Sequence, residues 1–166
     1  FGVDGAYHDI QRPEGVMLLS DIRLAQQPYK SNESCNVWDI GDGVLCFEHT
    51  SKMNTFDENI FNMLLELADD IEGSDKFKAL VIYNEGSAFS AGANLGMALE
   101  LMKQGDWDTL KRFITAGQIA YMRLKLANFP MVAAPSGLAL GGGCEILLHA
   151  DHVQAHAESY VGLVEV

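Results

Sequence analysis

MVAAPSGLALGGGCEILLHADHVQAHAESYVGLVE, residues 131–165, is the stretch on which the fold turns. Met131 to Ala134 is a short apolar run of the kind that becomes a buried strand. Pro135-Ser136-Gly137 breaks the run, and Leu138-Ala139-Leu140 leads into Gly141-Gly142-Gly143. Cys144-Glu145-Ile146-Leu147-Leu148 then reads as the first turns of a helix. Consecutive glycines forfeit backbone entropy, so the fold must need positive φ or a very close backbone approach there. The first N–H groups of a helix lack intrahelical partners and favour negative charge. Glu145 stands in that first turn, and Glu165 follows twenty positions later. A strand, a glycine-lined helix start and two carboxylates suit the stabilisation of an oxyanion and the movement of protons.

Composition bounds the rest. A chain of 166 residues, 48% hydrophobic, can bury a core and suits one domain. The net charge of −12 argues against nucleic acid and against anionic membrane surfaces as partners. No apolar run approaches the length of a membrane span, and no signal-peptide pattern is read in these residues. Cys35, Cys46 and Cys144 lack metal-ligand spacing, which favours free thiols, a reducing compartment and a cytoplasmic location. The chain starts at Phe1 rather than Met and stops at Val166 without a polar tail, so the expectation is a piece of something longer.

Residues 1–35 show little periodicity and are read as a linker or extension with few core positions, in which one apolar patch, Val16 to Leu19 with Ile22 and Leu24, can dock on the body. Residues 36–166 are read as the domain. Val37–Ile40 and Val44–Phe47 flank Gly41-Asp42-Gly43, a hairpin signal. Thr55-Phe56-Asp57-Glu58 fits a capping box, and the helix it starts puts Ile60, Leu64, Leu67, Ala68 and Ile71 on one face, stopping near Gly73. Phe77 to Tyr83 reads as a central strand. A second glycine-bearing loop follows, residues 86–96, whose small residues let backbone approach a ligand with amides inward. Residues 107–127 form a longer helix with Leu110, Phe113, Ile114, Gly117, Tyr121 and Leu124 on one stripe, read as core. The pattern is α/β, with glycine-rich loops where strands end and helices begin.

Several chemistries are dismissed on spacing. The glycines supply neither Gly-x-Gly-x-x-Gly nor a phosphate loop, and there is no Gly-x-Ser-x-Gly elbow. Cys144 sits at a helix start, yet its apolar neighbours read as a buried structural cysteine. His149, Asp151, His152 and His156 span a helix end and a strand-like alternation, so their side chains are expected to diverge and no metal is expected.

Ser90-Ala91-Gly92-Ala93-Asn94-Leu95, Gly137 to Glu145 and Gly162-Leu163-Val164-Glu165 together resemble the enoyl-CoA hydratase/isomerase (crotonase) family. The resemblance runs from about Val37 to Val166. It implies a crotonase-like spiral of ββα units, truncated before the C-terminal helices. It also implies an oxyanion hole made by the Ala93 and Gly142 amides, with Ala91, Asn94, Leu95 and Gly141 on the substrate. Glu145 and Glu165 match the family's two glutamates. Asn94 departs from the aspartate more usual there. Arg12 to Val16, Ser51-Lys52-Met53-Asn54 and His149 to His156 are similar to a bacterial subgroup in which this module follows a 3-hydroxyacyl-CoA dehydrogenase. Residues 1–35 would then connect to that dehydrogenase, and NAD would belong to it alone.

The implied activity is hydration of 2-enoyl-CoA in fatty-acid β-oxidation, with no metal or redox cofactor and CoA carried by the substrate. Adding water across a conjugated double bond needs one base for the water and one acid for the α-carbon. Glu145 is assigned chiefly to the water and Glu165 chiefly to the α-carbon. A double-bond isomerase managing with one carboxylate is the alternative, as is an inactive acyl-CoA-binding fragment. The complete protein is expected to be a homo-oligomer.

Overall fold

The structure, a computed structural model, describes residues 2–8 and 10–164. Glu165, one of the two expected carboxylates, lies outside the described residues.

The elements are α1 (Leu19–Ala25), β1 (Lys30–Ser31), β2 (Cys35–Asp39), β3 (Val44–His49), α2 (Glu58–Glu72), β4 (Ala79–Tyr83), β5 (Ala88–Ser90), α3 (Leu95–Gln104), α4 (Trp107–Lys125), β6 (Met131–Ala134), β7 (Leu138–Leu140), α5 (Gly142–His149), β8 (His152–Val153) and β9 (Tyr160–Gly162). A short 3-10 turn, Lys52–Asn54, precedes α2. Strand, strand, helix recurs along the chain. Excepting the first hairpin, each unit places its first strand in a large sheet, ordered β1-β2-β3-β4-β6-β8, and its second in a small sheet, β5-β7-β9. The expected α/β class holds.

The hairpin forms as read, with Val37 opposite Phe47 in an antiparallel pair. Its turn residues Gly41, Asp42 and Gly43 all have positive φ, which explains the Gly-Asp-Gly composition. β4 lies inside the large sheet, parallel to β3 and β6. Ile60, Leu64, Leu67, Ala68 and Ile71 of α2 are buried, joined by Phe61 and Met63. They pack with Leu45, Phe47, Leu80, Ile82 and Met131 into one core that also takes Ala120, Tyr121 and Leu124 of α4.

Three expectations change. The cap of α2 is Asp57, whose carboxylate accepts the Ile60 amide at 3.0 Å. The Thr55 hydroxyl instead donates to the Lys52 carbonyl and closes the preceding turn. Ile114 is half exposed rather than core. The glycine-bearing loop contains a strand, β5, and opens a further helix, α3.

The apolar patch read within residues 1–35 docks through Leu19 and Ile22, while Val16, Met17 and Leu24 stay exposed. Residues 10–17 are exposed throughout, but Leu19, Ser34 and Cys35 are buried. Leu19 and Ile22 pack on Trp38, Cys46, Val81 and Tyr83, on a second apolar cluster. Arg23 pairs with the buried Glu48, which also accepts the Trp38 indole N–H at 2.8 Å. A buried carboxylate needs such partners to offset desolvation.

All three cysteines are buried thiols outside any disulfide. Burial pushes the Cys35 and Cys46 thiols up to about 12, so neither is a thiolate at neutral pH.

Candidate functional site

β5 and β7 are parallel neighbours in the small sheet, with Ala88 opposite Leu138 and Ser90 opposite Ala139. Gly92 comes two residues after β5 and Gly141 directly after β7, and the two emerge side by side. Gly92 has φ 85°, and a Cβ there would fall 2.7 Å from the Leu140 oxygen and 2.9 Å from the Gly142 nitrogen. A Cβ on Gly143 would meet the Ser90 oxygen at 2.6 Å. Side chains are excluded because the two loops touch backbone to backbone. Gly141 takes φ 52° and turns the chain directly into α5, so the helix begins inside the triplet rather than after it.

The two loops border one cavity of about 670 Å³. Ala91, Ala93, Leu95, Gly141, Gly142 and Glu145 line it, together with Phe56, Phe61, Phe113, Ile114 and Tyr121. Among the described residues, neither the Ala93 nor the Gly142 amide donates a hydrogen bond within the chain. Phe56 bridges this segment by donating to the Gly92 carbonyl at 2.9 Å, which leaves the next amide, that of Ala93, unengaged. Two open N–H groups beside one cavity can bind an oxygen that gains negative charge.

Glu145 is exposed, in the first turn of α5, and is the one carboxylate lining the cavity among the described residues. Its own amide and that of Cys144 both donate to the Gly141 carbonyl. Asn94 stands apart from the other expected contacts. It does not line the cavity, and its carboxamide oxygen accepts the Met97 amide at 3.2 Å as the cap of α3. A cap is a sufficient structural reason for asparagine there.

Tyr121 and His149 belong to the cavity although residue patterns placed one in the core and set the other aside. The Tyr121 hydroxyl donates to the Gly142 carbonyl, and its ring lies 5.5 Å from that of His149. Burial, then the charge of Glu145, holds the Tyr121 phenol well above its ordinary pKa. Their signal was helical spacing: Tyr121 lies one turn beyond Gly117, and His149 one turn beyond Glu145.

Three of the four residues weighed for a metal have separate partners. His149 Nδ1 bonds the Glu145 carbonyl, Asp151 accepts the Met131 amide and His156 Nδ1 accepts the Glu158 amide. Among the described residues no group of three His, Cys, Asp or Glu is placed to hold a metal ion. None of the described helices is long and apolar enough to cross a membrane.

The geometry can be set beside known proteins. Residues 42–166 match the family described as Enoyl-CoA hydratase/isomerase. A Rickettsia felis protein provisionally named a fatty acid oxidation complex trifunctional enzyme is 34% identical over 146 residues, which is 88% of this chain and 20% of that protein. A Bacillus subtilis protein provisionally named a 3-hydroxyacyl-CoA dehydrogenase is 33% identical over 161 residues, 97% of this chain and again 20% of the relative. The chain thus spans about one fifth of the length of the curated relatives it matches.

Among solved structures, the enoyl-CoA hydratase of Bacillus anthracis superposes with a TM-score of 0.73 at 20% identity, covering 80% of this chain and 51% of that one. DspI of Pseudomonas aeruginosa gives 0.72 at 25% identity, covering 82% and 55%. These likenesses extend the fold assignment from α/β to the crotonase fold. With a family match over most of its residues, and with relatives more than 30% identical, the chain belongs to the enoyl-CoA hydratase/isomerase family.

Proposed function

We propose that the chain carries the hydratase module of a longer fatty-acid β-oxidation protein and adds water to 2-enoyl-CoA thioesters. The observation that carries this reading is the cavity shared by Ala93, Gly142 and Glu145, with both amides unengaged. A thioester oxygen seated on those amides gains negative charge as the water hydroxyl adds to the β-carbon. Each such donor is worth roughly 3–4 kcal/mol in acyl chemistry. Glu145 takes the water proton, and Glu165 delivers a proton to the α-carbon. The CoA arrives with the substrate, and no metal or redox cofactor takes part in this scheme. Phe56, Phe61, Phe113 and Ile114 offer the acyl chain an apolar wall. Ala91, Leu95 and Gly141 border it, and Asn94 acts on it only through α3.

The test is hydration of a short 2-enoyl-CoA by the full-length protein and by Gly142→Pro, followed by loss of the conjugated thioester absorbance. Proline removes the donor and suits the first position of a helix, so α5 can still start there. Activity should fall by roughly 10²–10³. Unchanged turnover would overturn the reading. The isomerase alternative is kept because Glu145 is the one carboxylate in the cavity among the described residues. An isomerase would survive Glu165→Gln, whereas a hydratase would not.

A further inference from the structure

The 3-10 turn Lys52–Asn54 lies against the amide-bearing loop, and its backbone is unusual. Met53 and Asn54 both lie in the left-handed region, with φ 55° and 54°. Asparagine tolerates that conformation, but methionine does not do so freely. Met53 is 56% exposed, so core packing does not offset the cost. The compensation is in what the turn holds.

Three hydrogen bonds run from the turn to the strand that leads into the site. The Ala91 amide donates to the Met53 carbonyl at 3.2 Å. The Asn54 carboxamide donates to the Ala88 carbonyl at 2.8 Å. The Ser90 hydroxyl donates to the Asn54 carbonyl at 2.7 Å. That same hydroxyl accepts the Gly92 amide at 3.0 Å. Two residues after the turn, the Phe56 amide anchors the Gly92 carbonyl. Because a trans peptide is planar, fixing the Gly92 C=O fixes the Ala93 N–H in the opposite direction. The peptides that follow Ala88, Ser90, Ala91 and Gly92 are therefore tied to residues 53–56, directly or through Ser90, while the Phe89 carbonyl accepts the Asn84 carboxamide at 2.7 Å.

We propose that Asn54 and Ser90 are positioning residues that hold the Gly92–Ala93 peptide in its donating orientation, with the left-handed turn at Met53–Asn54 as their template. Neither touches the substrate; both act through the Ala93 amide. The proposal rests on the oxyanion reading of Ala93 and Gly142 given above. A misdirected donor loses stabilisation of the transition state while leaving the apolar acyl contacts in place. The signature is thus a loss in kcat at nearly constant KM.

The experiment compares full-length wild type, Ser90→Ala, Asn54→Gly and Gly142→Pro with a short 2-enoyl-CoA, well below each variant's melting temperature. Ser90→Ala deletes the link between Asn54 and Gly92. Asn54→Gly relieves the backbone but deletes the Ala88 bond, and it serves should Ser90→Ala not fold. Both should lower kcat by ~10- to 100-fold with KM within about twofold. Amide hydrogen exchange should quicken at Gly92, which is tied to the turn through Ser90, and stay unchanged at Cys144 of α5. Full kcat in Asn54→Gly or in folded Ser90→Ala, or equal quickening at both amides, overturns the positioning role. Full activity in Gly142→Pro would instead bring down the oxyanion reading, so the two failures are distinguishable.

Discussion

The Tyr121 hydroxyl donates to the Gly142 carbonyl at 3.1 Å and so ties α4 to the first residue of α5. Burial and the nearby Glu145 keep the phenol protonated well above its ordinary range, so it remains a donor across the working pH. Tyr121→Phe keeps the ring and deletes the donor. The expected result is a loss of ~1 kcal/mol of stability by denaturant unfolding. A several-fold lower kcat should accompany it, since the tie reaches the residue that bears one of the two open amides.

Glu145→Gln preserves size and removes proton transfer. In the full-length protein kcat should fall by at least ~10² with little change in substrate binding. Glu165→Gln should do the same, and the double variant should lose far less than the product of the single losses, because the pair works as a unit. Steady-state kinetics on the four proteins checks this directly.

Gly143→Ala tests the close approach of the loops. The added methyl would lie 2.6 Å from the Ser90 oxygen and 2.8 Å from the Ser90 Cβ, neither of which can swing aside. Destabilisation of ~1–3 kcal/mol is expected, read as a lower denaturant midpoint at constant slope.

His49 sets an acid limit. It is buried, its Nδ1 accepts from the Asn84 carboxamide and its Nε2 has no partner among the described residues. Burial lowers its pKa from 6.5 to about 4, so the folded protein holds the ring neutral. The unfolded chain binds a proton near pH 6.5 and the folded one only near 4. Stability is therefore full above pH 6.5 and is lost as pH falls from 6.5 toward 4, by up to ~3 kcal/mol. His49→Phe should flatten that slope in unfolding titrations. An unchanged slope would assign it to other groups.

Residues 1–166 expressed alone should self-associate. Leu95 and Leu99 on α3 and Trp107 and Ile114 on α4 are each more than half exposed and lie along one helical pair. Contiguous apolar surface of that kind seeks cover. Light scattering on the segment gives the answer, and a monodisperse monomer would count against it.

What was legible in the residues was what local chemistry dictates. Gly41-Asp42-Gly43 demands a turn, the Ala79–Tyr83 run demands burial, and the α2 face repeats at helical spacing. The glycine triplet announced a close approach, which is where Gly143 meets Ser90. Short or competing signals failed. Thr55 and Asp57 both suit a helix cap, and the outcome depended on the Lys52 carbonyl taking the threonine hydroxyl. β5 is three residues long and exists through its pairing with β7, 48 or more positions away, which no local pattern carries. α3 had a readable signal in Asn94, Gly105 and the Leu95, Leu99, Met102 spacing, but it buries none of its residues and so lacked a core stripe to draw notice. The left-handed pair Met53–Asn54 is set by hydrogen bonds from elsewhere, so its residue types alone could not disclose it.

The loops that carry Ala93 and Gly142 leave β5 and β7, which are hydrogen-bonded neighbours. Adjacent strands keep a spacing of ~4.8 Å whatever their side chains are. The spacing from which the two loops start is thus set by the peptide repeat, and their contact demands glycine at positions 92 and 143. Side chains elsewhere around the cavity are thereby left free to change its shape while the two loops stay in contact.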